Sequence, residues 1–191
     1  MRITGGSARG RQLVTPKSGS RVIRPTGDRV REALFNILAQ DIPGSTVLDL
    51  YAGTGSFGLE ALSRGAGAVF FIDQSKQALE LIHTNVKNCF PTNEAVLLRA
   101  DLSRGDSIGR LQKKFGPDLL FDLIFLDPPY EKKLAETTLE MVEQSGILQR
   151  GGVTLVEERK TEQLPQQCGA FQLVDQRVYG ETGIWFYRHS S

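Results

Sequence analysis

Asp127-Pro-Pro-Tyr130 carries the most specific chemistry in this sequence. Two successive prolines fix backbone φ and remove two N–H donors, leaving a rigid corner of carbonyl acceptors. A carboxylate beside such a corner suits an exocyclic amine on a nucleic acid base. That nitrogen is a poor nucleophile because its lone pair is delocalised into the ring. Acceptors on its two protons, from the Asp127 side chain and the Pro128 carbonyl, hold the amine and favour build-up of nucleophilicity on nitrogen. Tyr130 offers a ring on which a base stacks, worth about 1–3 kcal/mol in single-stranded recognition. The plain alternative is a proline-rich turn with a packed tyrosine.

A second constellation lies upstream, in Asp49-Leu-Tyr-Ala-Gly53-Thr-Gly55-Ser-Phe-Gly58. Gly53, Gly55 and Gly58 match the G-x-G-x-x-G fingerprint, and Asp73 falls where a ribose-binding acid is expected. Spacing alone reads as a dinucleotide site. Asp49 argues for a different ligand, because a carboxylate at the loop repels a pyrophosphate drawn to a helix N-terminus. It suits a cation. S-adenosylmethionine has an ammonium group, a sulfonium and a ribose diol but no phosphate. Asp49 then meets the cationic end, directly or through water, and Asp73 the diol. Against this, Asp73 reads as a loop acid or helix cap before Ser75. Asp101 follows the next strand and borders the adenine, or caps the turn after it.

These residues need elements to hold them. Thr46–Leu50, Ala68–Asp73, Ala95–Arg99, Phe121–Leu126 and Gly152–Glu157 read as strands. Helix-period segments lie between them at Phe57–Arg64, Lys76–Cys89, Ser107–Phe115 and Leu134–Gln144. Leu79, Ile82 and Val86 mark the apolar face of the second. Phe171–Tyr179 and Ile184–Arg188 form a closing hairpin around Gly180-Glu-Thr-Gly183. Strands alternating with helices predict an α/β, doubly wound Rossmann-like fold with a mostly parallel sheet and an antiparallel C-terminal hairpin. Ligands in such sheets bind beyond the carboxyl ends of the strands, where both constellations fall. Upstream, Asp28 is expected to cap a helix with Val30, Leu34 and Ile37/Leu38 on its apolar face. Arg2–Thr4 and Arg11–Thr15 suggest a small basic hairpin.

Charge is divided along the chain. The 191 residues hold 23 Lys plus Arg and 22 Asp plus Glu, a net +1. Residues 1–31 contain eight basic side chains, Arg2, Arg9, Arg11, Lys17, Arg21, Arg24, Arg29 and Arg31, against Asp28 alone: a balance of +7. The remaining residues come to −6. A basic arm before an acidic body points to a polyanion partner. The longest apolar stretch, near Leu119–Leu126, is far short of a membrane span, which needs about 18 residues, and the N-terminus has no apolar signal region. Cys89 and Cys168 read as reduced thiols, and neither His83 nor His189 has a metal or nucleophile pattern. A cytoplasmic protein without metal is expected.

The residues that carry these readings resemble those of class I S-adenosylmethionine-dependent methyltransferases. Met1-Arg-Ile-Thr-Gly-Gly, Arg9-Gly-Arg11, Arg24-Pro-Thr-Gly-Asp-Arg-Val-Arg-Glu-Ala-Leu-Phe-Asn36, Gly58-Leu-Glu-Ala-Leu-Ser-Arg-Gly-Ala66 and Asp127-Pro-Pro-Tyr130 narrow the likeness. They resemble the bacterial 16S ribosomal RNA guanine-N2 methyltransferase family, the RsmD type. The resemblance implies methyl transfer to the exocyclic N2 amine of one guanine in small-subunit ribosomal RNA, free or in an assembly particle, by a monomer. It implies a seven-stranded sheet with a reversed last strand. Residues 1–22 become a basic RNA-binding extension, with Arg2, Arg9, Arg11, Lys17, Arg21 and Arg24 on RNA, and residues 23–191 the methyltransferase domain. Asp49, Tyr51, Gly53, Gly55, Asp73 and Asp101 line the cofactor site, with Thr26 and Arg29 as neighbours. Asp127, Pro128 and Tyr130 hold the target base. Asp73 stands where many relatives have Glu, and Gly27 replaces a more usual Thr. The implied mechanism is in-line transfer from the sulfonium to the amine of a flipped-out guanine, with positioning as the main contribution. Adenine-N6 methylation of DNA or RNA, a non-catalytic RNA-binding assembly factor with this fold, and a nicotinamide enzyme stand as alternatives.

Overall fold

Short runs of β-branched and aromatic residues become strands where they cannot complete a helical stripe, and the order of elements follows from their spacing. The computed structural model describes residues 1–15, 27–91, 94–103, 107–130 and 133–190, in two compact units, Met1–Arg99 and Ala100–Ser191.

In the first unit, strands β1 (Thr46–Leu50), β2 (Ala68–Asp73) and β3 (Glu94–Arg99) pair in parallel in the order β3-β2-β1. Val47, Leu48 and Leu50 of β1 and Val69, Phe71 and Ile72 of β2 are fully buried. Such a continuous apolar run is what parallel strands require. Helix α1 (Asp28–Ile37) precedes them, α2 (Ser56–Ser63) joins β1 to β2, and α3 (Lys76–Cys89) joins β2 to β3. Asp28 does not cap α1. The cap position is Gly27, which makes no side-chain bond, and the Asp28 carboxylate instead accepts from Arg31 at 3.0 Å. Of the Ile37/Leu38 pair, Leu38 is buried and Ile37 exposed, and Phe35 joins the buried face, its ring 4.8 Å from that of Phe57.

The expected N-terminal hairpin is present as a short antiparallel bridge, Arg2 to Gln12, extended by Ile3 N–H to the Arg11 carbonyl and Leu13 N–H to the Met1 carbonyl. It packs within the first unit, burying Ile3, Ala8 and Leu13. Gly6 has φ +75°, and a Cβ there would collide with the Ser63 carbonyl. Ser63 and Asn85 hold the hairpin through the backbones of Ser7, Ala8 and Val14.

In the second unit, β4 (Phe121–Leu126) pairs in parallel with β5 (Leu148–Arg159). Helix α4 (Gly109–Phe115) precedes β4, and α5 (Leu134–Ser145) connects the two strands. β5 begins earlier than Gly152–Glu157 suggests, because exposed Gln149–Gly151 show no alternation, and the β4–β5 register shifts between Phe121 and Leu123. Antiparallel strands β8 (Thr182–His189), β7 (Phe171–Tyr179) and β6 (Gln167–Cys168) follow β5 in that spatial order. The described strands therefore number eight, not seven. The additional one is β6, only two residues long and too short for any periodicity to reveal. Among the described residues, no helix is long and apolar enough to cross a membrane.

Candidate methyltransferase site

The glycine loop is shaped by its backbone. After β1, Tyr51 adopts φ +61°, followed by Gly53 at +54° and Gly55 at +72°, and α2 begins at Ser56. Glycine takes these angles freely, whereas for Tyr51 they carry strain of order 1 kcal/mol or more. Gly58 serves packing: a Cβ on it would collide with the Phe71 ring and lie 2.8 Å from Val69. It lets α2 sit tightly against β2.

Two carboxylates converge on this loop. Asp49 is 2% exposed and accepts the Gly58 N–H at 3.0 Å. Burial pushes its pKa from 3.8 to about 8, opposed by the Gly58 bond and aided by the negative charge of Asp73. Asp73, half-buried at the end of β2, accepts the Gly53 N–H at 2.8 Å through one oxygen and the Ser75 N–H at 2.7 Å through the other. It braces both the loop and the turn into α3, whose cap is Ser75. Each carboxylate oxygen has a second lone pair, so these bonds leave Asp73 able to accept from a diol. A deeply buried acid, a loop of close-approaching backbone and a half-buried second acid fit S-adenosylmethionine.

In the second unit, β4 delivers Asp127, Pro128 and Tyr130 at its carboxyl end; Pro128 is buried, and Asp127 and Tyr130 are half-buried. The Arg159 guanidinium carbon lies 5.4 Å from the centroid of the Tyr130 ring. Burial raises the Tyr130 pKa, and the carboxylates of Glu157, Asp127 and Glu158 add to the rise. Glu157 and Glu158 are themselves buried at the end of β5. Arg159 and the two glutamates are not among the residues that the motifs single out. The available signal was Glu157-Glu-Arg159 closing a strand that is otherwise apolar from Val153.

Asp101, half-buried in the second unit, accepts the Ser103 N–H at 3.1 Å and its hydroxyl at 2.6 Å, while its carbonyl accepts from Ser107. It organises its own turn, as the capping alternative required.

The basic residues separate into two groups. Arg2, Arg9 and Arg11 are exposed on the hairpin, Arg11 donating to the Asn88 carbonyl, and Arg29 is exposed on α1. Arg31 is only 1% exposed and bonds to Glu60, Asp28 and the Arg2 carbonyl. It belongs to the interior. Glu60, fully buried on α2, accepts from Thr4, Gly5, Arg31 and Arg64. Burial opposes its charge, but the Thr4 and arginine contacts outweigh that cost and hold its carboxyl below the ordinary value. Lys17, Arg21, Arg24 and Thr26 lie outside the described residues.

The family model described as conserved hypothetical protein 95 matches residues 1–188. The ribosomal RNA small subunit methyltransferase D of Escherichia coli (strain K12) is 32% identical over 191 residues, covering 100% of this chain and 91% of its own. A solved structure described as an Escherichia coli methyltransferase superposes with a TM-score of 0.82 at 30% identity, covering 100% of this chain and 98% of that one. A methyltransferase complexed with S-adenosylhomocysteine shares the fold at a TM-score of 0.62 and 17% identity, covering 86% of this chain and 50% of that one. The fold is that of Rossmann-like methyltransferases.

Proposed function

The chain belongs to the conserved hypothetical protein 95 family, that of ribosomal RNA small subunit methyltransferase D, and from that membership we propose that it methylates the exocyclic N2 amine of a guanine in 16S ribosomal RNA. Methyltransferase activity on ribosomal RNA is the broader statement, and the family relation supports it. The observation that supports an exocyclic base amine as the target is the Asp127-Pro128-Pro129-Tyr130 corner at the end of β4, and the resemblance to the guanine-N2 family favours guanine over adenine.

S-adenosylmethionine, when bound, supplies a methyl group already activated by its sulfonium. Asp49 meets the cationic end of this cofactor, Asp73 accepts from its ribose hydroxyls, and Tyr51, Gly53 and Gly55 shape the surface against it. Asp101 borders its adenine, with Thr26 and Arg29 as neighbours. On the substrate side, Asp127 and the Pro128 carbonyl accept the two amine protons and orient the nitrogen. Tyr130 stacks on the flipped base. Asp127 then takes the proton that the amine releases or passes it to water. Residues 1–22 form an RNA-binding extension, in which exposed Arg2, Arg9 and Arg11, with Lys17 and Arg21, contact phosphates, as does Arg24 just beyond it.

The test is transfer of labelled methyl from S-adenosylmethionine to undermodified small-subunit ribosomal particles, followed by nucleoside analysis. N2-methylguanosine is the expected product. N6-methyladenosine would move the assignment to the adenine amine, and absence of transfer would leave an RNA-binding assembly factor.

A further inference from the structure

The strand ends that carry the Asp127 corner are acidic. Asp127 follows β4, and buried Glu157 and Glu158 lie near the end of β5 beside it, since Leu126 and Val156 are register partners in the parallel pair. Such a field repels an RNA backbone, whose phosphates must come close when one base is turned out toward Tyr130. A cation stands next to these acids. Arg159, the last residue of β5, is exposed, and its guanidinium carbon lies 5.4 Å from the centroid of the Tyr130 ring. Its backbone is fixed: it ends the β5–β8 ladder opposite Thr182, its N–H donates to the Glu158 carboxylate at 2.8 Å, and its carbonyl accepts the Glu162 N–H at 2.9 Å. Its side chain is uncommitted. Among the described residues, no carboxylate lies within ion-pair distance of the guanidinium, and its N–H donors are not taken. Nearby cations differ: Lys160 Nζ is 2.7 Å from a Glu181 oxygen, and Arg177 Nε is 2.7 Å from an Asp175 oxygen.

We propose that Arg159 is a phosphate-binding residue for the RNA segment that presents its base to Tyr130. This rests on the reading of the Asp127–Tyr130 corner as the target-base site. A nucleotide stacked on Tyr130 carries a phosphate on each side of its sugar, within the span of an arginine side chain beside the ring. The guanidinium fork matches phosphate oxygens and bonds two of them at once. Contact with the ring does not compete with this, because it uses the guanidinium plane and leaves the N–H groups at the edge directed outward. Without Arg159, the phosphates next to the target base meet the carboxylates of Asp127, Glu157 and Glu158 uncompensated. The contact therefore acts on RNA affinity, and methyl transfer from a saturated complex does not depend on it.

The test titrates undermodified small-subunit particles with wild type, Arg159→Ala, Arg159→Lys, Arg159→Glu and Arg177→Gln over a range of salt, and measures kcat and KM for the particles alongside. Arg159→Ala should weaken particle binding about ten-fold and flatten the slope of log affinity against log salt by about 0.7, the share of one single-strand phosphate contact. Arg159→Glu should weaken binding further. Arg159→Lys, which keeps a point charge at the same place, should stay within about three-fold of wild type. In all variants kcat at saturating particles should hold, as should affinity for S-adenosylhomocysteine by calorimetry, which also confirms folding. Arg177→Gln, which loses a cation already paired, should keep the wild-type slope. Unchanged affinity and slope in Arg159→Ala overturn the proposal. So does an Arg159→Lys variant as weak as Arg159→Ala, which would assign the guanidinium to ring stacking, or a fall in kcat with affinity intact. An equal loss of slope in Arg177→Gln reduces the effect to general surface charge and overturns it too. The slope is read without turnover, so absence of transfer by wild-type protein fails the proposed function while the slope still decides this inference. Wild-type transfer with an unchanged Arg159→Ala slope fails the inference alone.

Discussion

Asp49 is the residue at which burial and charge oppose each other most directly. Its pKa of about 8, against 3.8 when solvated, means the ligand-free folded protein keeps a proton there that the unfolded chain loses near pH 4. The folded state therefore binds more protons across this interval, and the Asp49 contribution to stability declines as pH rises from about 4 to about 8. A cationic ligand favours the ionised form. Binding of S-adenosylmethionine at pH 7 should release a proton, seen in calorimetry as a dependence of the heat on buffer ionisation enthalpy, and Asp49→Asn should abolish that dependence. At Asp127 the expectation concerns rate. Asp127→Ala should lower transfer by at least about 100-fold through loss of the amine acceptor and proton route, with cofactor affinity largely kept. Full activity in that variant would sink the assignment.

Among the elements, α2 holds the first unit together at both ends. Its N-terminus accommodates the glycine loop, and its buried Glu60 anchors the N-terminal hairpin through Thr4 and Gly5. Glu60 also neutralises Arg31, whose side chain is as buried as its own. Removing one member of such a pair leaves a buried charge without compensation. Glu60→Ala should therefore destabilise the protein by about 3–5 kcal/mol in urea unfolding. A loss below about 1 kcal/mol would show that the network is dispensable. Much of this layer is legible before folding: the positions of the five helices among the described residues and of the major strands follow from apolar period and from Gly and Pro placement. Two-residue β6 and the early start of β5 are not legible, because pairing with a neighbour defines them and no pattern of their own marks them.

For the molecule as a whole, the net +1 conceals a division between a basic N-terminus and an acidic remainder. The hairpin refines that division. Arg31 is withdrawn into the interior, while Arg9 and Arg11 remain exposed. Deleting the N-terminal residues would also strip Ile3, Ala8 and Leu13 from the core and remove the Thr4 and Gly5 bonds to Glu60, so truncation confounds RNA binding with stability. Charge reversal is the cleaner probe. Arg9→Glu/Arg11→Glu should weaken RNA binding and flatten the slope of log affinity against log salt by roughly 1.5, the share of two phosphate contacts. An unchanged slope would remove the hairpin from the RNA footprint. Cofactor affinity should be unaffected.

What could be read along the chain was local. The Gly53–Gly58 loop, the Asp127 corner, strand and helix spacing and the charge division all depend on backbone allowances and side-chain period, which neighbouring residues determine. Tertiary structure decided what each charged group became. Asp49 retains its proton because the folded chain buries it; Asp73 serves loop and helix cap together because β2 ends beside Gly53. Arg31 became an interior cation through Glu60, 29 residues away, and Tyr130 acquired Arg159, from the end of β5, as a neighbour of its ring. Desolvation and ion pairing depend on what covers a group, and that is settled by distant segments of the chain.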